Sequence, residues 1–270
     1  MSKIKVAVAG CLGRMGQEIT KKILNDKRMS LVGAFEHKSH PMINKKISDV
    51  AEIKSDLIVL SNPDPIIKKA DVLIDFTTPS SSLLNVKNAA KNKTAVVIGT
   101  TGITLNQKSK IKNFSKKVPI LISSNMSLGV NLLFNLVHQT ASILKDIDYD
   151  VEIAETHHKH KVDAPSGTAI SIGEYVADSR KVAFSKAKVL DRTKKSTKRK
   201  KGDIGFSVTR GGEIAGEHTV SFIGKNDRIE LIHKANNRSI FVSGAIEAAI
   251  FLSKKKNGLF NMQDLFIKKN

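Results

Sequence analysis

The sequence predicts an α/β protein of two lobes, one on a parallel sheet and one α+β, and three observations carry that expectation. First, the β-branched and small residues from Ile4 to Ala9 run directly into Gly10-Cys-Leu-Gly13-Arg-Met-Gly16, and helical periodicity resumes through Ile19, Ile23 and Leu24. Strand, glycine turn and helix in that order are the context that makes a dinucleotide-binding motif credible. Second, buried-strand runs recur at Leu31–Phe35, Val72–Phe76, Ala95–Ile98 and Ile120–Ile122. Short continuous apolar runs of this kind suit strands covered on both faces, as in a Rossmann-like sheet. Third, strand-like runs follow one another at Ile204–Thr209, Glu217–Phe222 and Arg228–His233 with no long helix among them. They suggest a second α+β domain on a mixed, mostly antiparallel sheet, with the boundary near residue 127.

In the first lobe, Gly10 permits the tight turn, Gly13 lets backbone approach a pyrophosphate, and Gly16 lets the helix pack on the strand. The spacing is G-x-x-G-x-x-G rather than G-x-G-x-x-G, so an ordinary glycine-rich turn is the competing reading. Gly10, Cys11, Leu12, Gly13, Arg14 and Met15 are the candidate cofactor contacts of this turn, with Arg14 against phosphate. Glu36 stands twenty positions after Gly16, where an acid accepting from an adenosine ribose belongs. His37 and Lys38 follow and suit a 2′-phosphate, so NADH and NADPH are both expected cofactors. The later strands end in Thr77-Thr78-Pro79-Ser80, in Gly99-Thr100-Thr101-Gly102 and in Ser123-Ser124-Asn125-Met126. In an open parallel sheet that edge is where a nicotinamide lies, although each run alone also reads as a polar cap on a buried strand.

Composition narrows the function classes. At 270 residues, with 40% hydrophobic residues, the chain can hold two modest domains with ample core. No apolar run is long enough to span a membrane, and the N-terminus leads into a glycine turn rather than a signal peptide. Cys11 is the single cysteine, so no intrachain disulfide forms and a reducing cytoplasm is the expected compartment. The net charge of +20 invites a nucleic-acid reading, but the lysines are spread end to end, with two Tyr and no Trp for base stacking. The sharpest basic run, 194–201, reads as a solvated loop, and the global field as steering for anionic small molecules. No nucleic-acid or membrane partner is expected.

The most informative stretch is Glu155-Thr-His157-His158-Lys159-His160-Lys161-Val-Asp163-Ala-Pro165-Ser166-Gly167-Thr168-Ala169, delivered by a strand at 150–154. Pro165, with Asp163 or Ser166 as N-cap, reads as a helix start. Free N–H groups at Ser166, Gly167 and Thr168 would then form an anion site. Cations and proton donors just upstream suggest a pocket for a carboxylate-bearing substrate that must also receive a proton. His157 and His160 are spaced for two metal ligands, but no cysteine is near and the lysines repel a dication, so no metal is expected.

This segment resembles the signature of the dihydrodipicolinate (4-hydroxy-tetrahydrodipicolinate) reductase family, and the resemblance covers essentially the whole chain. It implies NADH- or NADPH-dependent reduction of 4-hydroxy-tetrahydrodipicolinate to tetrahydrodipicolinate in lysine and diaminopimelate synthesis. Hydride would add to ring C4, and His157 would supply the proton from a pKa near the operating pH. The resemblance further implies Lys161 as the second catalytic residue and His158, Gly167 and Thr168 as substrate contacts. Lys159 and His160 would support them, and Asp163 would fix the loop. Gly99, Thr100, Thr101, Ser123, Ser124, Asn125 and Met126 join the glycine turn, Glu36 and His37 as cofactor contacts. The family commonly has Arg at the position of Thr78, which removes one phosphate contact here. A helix is expected over 239–253, stopped at Asn257-Gly258. In the family the C-terminal segment rejoins the cofactor domain, giving 1–127 plus 238–270 as the dinucleotide-binding domain and 128–237 as the substrate-binding and oligomerisation domain of a homotetramer. Arg210-Gly211-Gly212 and Gly216-Glu217-His218-Thr219 also match, with structural or oligomer roles, and His218 and His233 read as structural histidines. The competing readings are another two-domain dehydrogenase and a non-catalytic basic nucleotide-binding protein.

Overall fold

The computed structural model describes residues 2–49, 54–144, 148–193 and 198–266. The chain divides into two compact units, Met1–Leu128 with Phe241–Asn270, and Gly129–Ile240. Among the described residues no helix is long and apolar enough to cross a membrane.

The first unit runs β1 (Ile4–Ala9), α1 (Arg14–Asn25), β2 (Met29–Phe35), β3 (Val59–Leu60), α2 (Asp64–Ile67), β4 (Val72–Asp75), α3 (Pro79–Asn92), β5 (Ala95–Ile98), α4 (Leu105–Phe114) and β6 (Pro119–Ile122). Its seven strands pair in the order β12-β6-β5-β4-β1-β2-β3, every pair parallel; β12 (Gly258–Phe260) arrives from the far end of the chain. Val6, Val8, Val72, Ile74 and Val97 face one layer, with Ile19 and Ile23 of α1 and Ala245, Ala249 and Leu252 of α8 (Ser239–Leu252). Ala7, Ala9, Leu73, Val96 and Ile98 face the other, with Val86, Ala89 and Ile111. Burial on both faces is why these strands read as unbroken apolar runs. The strand order reverses between β1 and β4, the switch point outside whose carboxyl edge ligands bind in open α/β sheets.

One helix boundary departs from the expectation. α8 ends at Leu252, and Gly258, at φ +123°, does not stop it but opens β12, which lies parallel to β6.

The second unit holds α5 (Leu128–Ile143), β7 (Asp150–His157), α6 (Gly167–Ser179), α7 (Phe184–Ala187), β8 (Lys188–Val189), β9 (Ile204–Arg210), β10 (Gly216–Ile223) and β11 (Arg228–Ala235). The sheet order is β11-β10-β7-β9-β8. It is mixed, with most of its paired residues antiparallel: β10 pairs antiparallel with β7 and β11 over their lengths, whereas β9 pairs parallel with β7 and, briefly, with β8. Among the described residues only β10 and β11 form a hairpin. The chain leaves β7 through α6 and α7, and such a crossover brings the next strand back parallel. Val130, Phe134 and Val137 of α5 and Ile172 and Val176 of α6 pack with Val151, Ile153, Val220 and Phe222 of the sheet.

Of the basic run 194–201, residues 194–197 lie outside the described residues. Of the rest, Arg199 donates to the Glu152 carboxylate on β7, as does Arg192 just before the run, while Lys198, Lys200 and Lys201 are exposed.

Candidate active site

In the first unit the carboxyl ends of β1, β2, β4, β5 and β6 carry the turns singled out from sequence. Gly10 adopts φ +67°, and a Cβ there would lie 2.8 Å from the Thr77 methyl. A Cβ at Gly16 would lie 2.0 Å from the Gly10 carbonyl oxygen, so only glycine lets α1 start against the turn. Gly13 is the N-cap of α1 with no side-chain cap, and no acidic residue lies in the first turn. The leading N–H groups of α1 are therefore left for an anion. This bare cradle fits the pyrophosphate of a dinucleotide.

The six residues of the turn divide by burial. Cys11 and Leu12 are buried core side chains that offer the turn only their backbone, and burial pushes the Cys11 thiol up to about 12. Gly13 and Arg14 are exposed, and Met15 packs partly on the core. Glu36 at the end of β2 accepts from the Leu12 N–H at 3.2 Å and the His37 N–H at 2.9 Å, holding its carboxylate against the glycine turn. His37 is exposed, with Nδ1 2.7 Å from the Ser39 hydroxyl. Thr78 caps α3, accepting from the Ser81 N–H. Of the other strand ends, Thr100 is buried, Thr101 and Ser124 are exposed, and Gly99 packs on the Phe76 ring. The Ser123 hydroxyl donates to the Asn125 carbonyl. The Met126 side chain is core, and its carbonyl lies under Gly244 of α8.

The second unit gathers the histidine segment. Along β7, Val151, Ile153, Glu155 and His157 all lie on the buried face. Two charged or titratable residues thus continue an apolar stripe. Sheet register does the rest: Arg210 of β9 lies opposite His157, and His218 of β10 opposite Glu155. The Glu155 carboxylate accepts from Arg210 through Nη1 at 3.0 Å and Nη2 at 2.8 Å, from the Ser166 N–H at 2.9 Å, and from His157 Nδ1. Burial pushes the Glu155 carboxyl up, but Arg210, the Ser166 N–H and His157 together hold it below its ordinary value. His157 titrates below the ordinary imidazole value because burial disfavours its charge more than Glu155 restores it. That differs from a donor poised near the operating pH. A carboxylate can only accept, so the proton of this bond sits on Nδ1 of the neutral ring and the working nitrogen is Nε2. Nε2 faces Gly216, where a Cβ would lie 2.9 Å away.

His218 is buried, 5.2 Å from His157 between ring centroids and edge-on to it, with Nε2 3.2 Å from the Ser166 hydroxyl. Burial, and then the neighbouring His157, lower it to about 4. Ligand atoms of Glu155, His157 and His218 lie within 4.8 Å of one another, but Arg210 occupies both carboxylate oxygens, a cation where a metal ion would sit.

Ser166, not Asp163, is the N-cap of α6, its hydroxyl accepting from the Ala169 N–H. The expected anion site is narrower than the sequence suggested. The Ser166 N–H is consumed by Glu155, and the backbone at Gly167 helps to lower the Asp163 carboxyl. A Cβ at Gly167 would meet nothing within 4 Å, so that end of the helix is open. Lys161 Nζ lies 2.7 Å from Asp163 and lowers that carboxyl. His158 donates its N–H to the Ile214 carbonyl, and its Nδ1 is buried without a partner among the described residues. Lys159 and His160 point to Glu213 on the surface. Glu155 carries no role of its own in the sequence reading, and Arg210, Gly216 and His218 only a structural or oligomer one. The legible signal for the first is period two along β7; the others come from the register of separate strands.

The chain matches the family descriptions "Dihydrodipicolinate reductase, N-terminus" over residues 4–126 and "Dihydrodipicolinate reductase, C-terminus" over residues 129–266. It is 41% identical over 262 residues to the 4-hydroxy-tetrahydrodipicolinate reductase of Polynucleobacter necessarius subsp. necessarius (strain STIR1), covering 97% of this chain and 98% of that one. The enzyme of the same name from Buchnera aphidicola subsp. Baizongia pistaciae (strain Bp) is 40% identical over 265 residues, covering 97% of each. A dipicolinate-bound dihydrodipicolinate reductase from Paenisporosarcina sp. TG-14 superposes with a TM-score of 0.79 at 27% identity, covering 96% of this chain and 98% of that one. GenD2 of gentamicin A biosynthesis, solved with NAD, shares the fold at a TM-score of 0.59 and 12% identity, covering 98% and 90%. With both of its lobes matched and relatives near 40% identity along its length, the chain belongs to the dihydrodipicolinate reductase family.

Proposed function

We propose that the protein reduces 4-hydroxy-tetrahydrodipicolinate to tetrahydrodipicolinate with NADH or NADPH, in lysine and diaminopimelate synthesis. The observation that carries this reading is the buried Glu155–His157 pair, with His157 Nε2 facing Gly216 in the family's own signature segment. Loss of the 4-hydroxyl as water gives a conjugated imine, and the nicotinamide, when bound, would supply the hydride for its ring C4. His157 delivers the proton to the carbon left electron-rich, and Glu155 stabilises the cationic ring and holds its orientation. Because burial lowers His157, the ring is neutral in the free protein at pH 7, and a dianionic substrate would draw the proton onto it. Lys161, paired with Asp163, supplies a cation to substrate charge, while His158, Gly167 and Thr168 contact the substrate, Gly167 and Thr168 at the open start of α6.

In the cofactor unit, the N–H groups following Gly13 would receive the pyrophosphate, with Gly10, Cys11, Leu12 and Met15 shaping the turn and Arg14 beside it. Glu36 would accept from the ribose and His37 lie against a 2′-phosphate, which supports use of both cofactors with NADH tolerated. Gly99, Thr100, Thr101, Ser123, Ser124, Asn125 and Met126 line the nicotinamide side. A cytoplasmic homotetramer completes the reading, supported by the lone buried Cys11 and by the exposed apolar residues Val208, Ile223, Ile229 and Ile232 on β9, β10 and β11.

The test is NADH oxidation with substrate generated from pyruvate and aspartate semialdehyde by the preceding synthase. His157→Gln lowers kcat by about 10²–10⁴-fold with NADH affinity unchanged, the span typical of proton donation. An unchanged kcat removes His157 from this role.

A further inference from the structure

We propose that Asp75 is a positioning residue that holds two cofactor turns in register, setting dinucleotide affinity without touching the dinucleotide. It rests on the cofactor reading above. Asp75 ends β4 at the switch point of the sheet and is fully buried. Among the described residues no Lys or Arg pairs with it. Instead Oδ1 accepts from the Thr77 N–H at 2.9 Å, the Thr77 hydroxyl at 2.7 Å and the Ser82 hydroxyl at 3.0 Å, and Oδ2 accepts from Asn85 at 2.8 Å. A buried carboxylate without a cation is costly unless dipoles surround it, and here the closer dipoles come from α3 or the loop before it, with the Thr100 hydroxyl further off at 3.5 Å from Oδ1.

What those donors touch gives the arrangement its use. The Thr77 methyl, fixed by the hydroxyl bond to Asp75, is the atom against which Gly10 closes. The Ser82 hydroxyl spans from Asp75 to the Thr100 hydroxyl, 2.8 Å away in the second turn. The backbone adds two further links: the Gly99 N–H donates to the Asp75 carbonyl at 2.9 Å, and the Phe76 ring fills the space a Gly99 side chain would need. One carboxylate therefore sets both the pyrophosphate turn after β1 and the turn after β5 from the strand between them. A shift of a few tenths of an ångström in either turn would misalign backbone donors whose geometry is narrow.

Two variants of the full-length protein test this. Ser82→Ala removes the 2.8 Å link to Thr100, leaving that hydroxyl only its 3.5 Å approach to Asp75, and keeps the other Asp75 donors, so it folds even if Asp75→Ala does not. Each is titrated with NADH by nicotinamide fluorescence and assayed for the KM of the dicarboxylate substrate and for melting temperature. The expected result is an NADH Kd raised about tenfold, the size of roughly one misplaced hydrogen bond, with the substrate KM at the wild-type value. A purely structural role would instead move both constants together or only the melting temperature, and that result overturns the proposal. An unchanged NADH Kd in Ser82→Ala overturns it too. Failure of wild type itself to bind NADH overturns the cofactor reading beneath it, which the wild-type titration separates from the other outcomes.

Discussion

Replacing Glu155 by Gln keeps the shape of the side chain and removes its charge, so it isolates what the carboxylate does. Glu155 is enclosed by Arg210, the Ser166 N–H and His157 Nδ1, and its side chain has no exposed surface. A glutamine can still accept from Ser166 and one Arg210 nitrogen through its oxygen. Its amide nitrogen then confronts the other Arg210 nitrogen and His157 Nδ1, donor against donor. Breaking one side of a buried ion pair costs about 3–5 kcal/mol. Arg210 is 18% exposed and keeps the Asp163 and Thr209 carbonyls, so we expect about 2–4 kcal/mol here. For a chain of this size that lowers the melting temperature by roughly 5–10 °C. The chemical effect is larger. Without the carboxylate nothing offsets the burial that already lowers His157, and the ring loses the partner that puts its proton on Nδ1. We expect kcat lower by about 10²-fold or more with NADH affinity intact. The assays are thermal unfolding and the coupled NADH oxidation at pH 7.5, with imidazole ¹⁵N shifts reporting the His157 tautomer. A variant that melts within about 2 °C of wild type and keeps kcat within about threefold refutes the reasoning, since both magnitudes derive from the same four bonds.

Three further outcomes follow from the same geometry. Gly216→Ala places a methyl 2.9 Å from His157 Nε2 on a backbone with φ +153°, and should lower kcat at least tenfold without changing NADH affinity; wild-type kcat would mean that Nε2 is not the working atom. His218, lowered to about 4 from 6.5 by burial and by His157, binds its proton more readily when the chain is unfolded. Stability is therefore complete above pH 6.5 and falls as the pH drops from 6.5 towards 4, by up to about 3 kcal/mol, and His218→Gln should flatten that slope in urea unfolding; identical slopes refute it. Lys161→Ala should lower turnover and raise the substrate KM together while relaxing Asp163 towards its ordinary value; an intact KM would mark the lysine as merely solvated.

What the sequence determined by itself is local. Ile4–Ala9 followed by three spaced glycines declares strand, turn and helix, because a positive φ at Gly10 and the close approach at Gly16 are constraints that the residue type records. Glu36 at the end of the second strand run, and Pro165-Ser166 before an apolar-periodic stretch, were legible for the same reason: caps and turns are made by neighbours in the chain. The His157–Lys161 segment was legible as chemistry from composition alone. The partners of that chemistry were not. Arg210 and His218 lie more than fifty positions after His157, and only the pairing of β9 and β10 with β7 brings them to Glu155 and His157. Nothing along the chain specifies that register, since it depends on which faces find burial together. The same holds for β9, read as one of a hairpin series and found parallel to β7, and for Gly258, read as a helix stop and found opening a strand beside β6. Pairing partners, and the atoms that end up beside a buried carboxylate, belong to the tertiary structure because they are chosen by packing between segments remote in sequence.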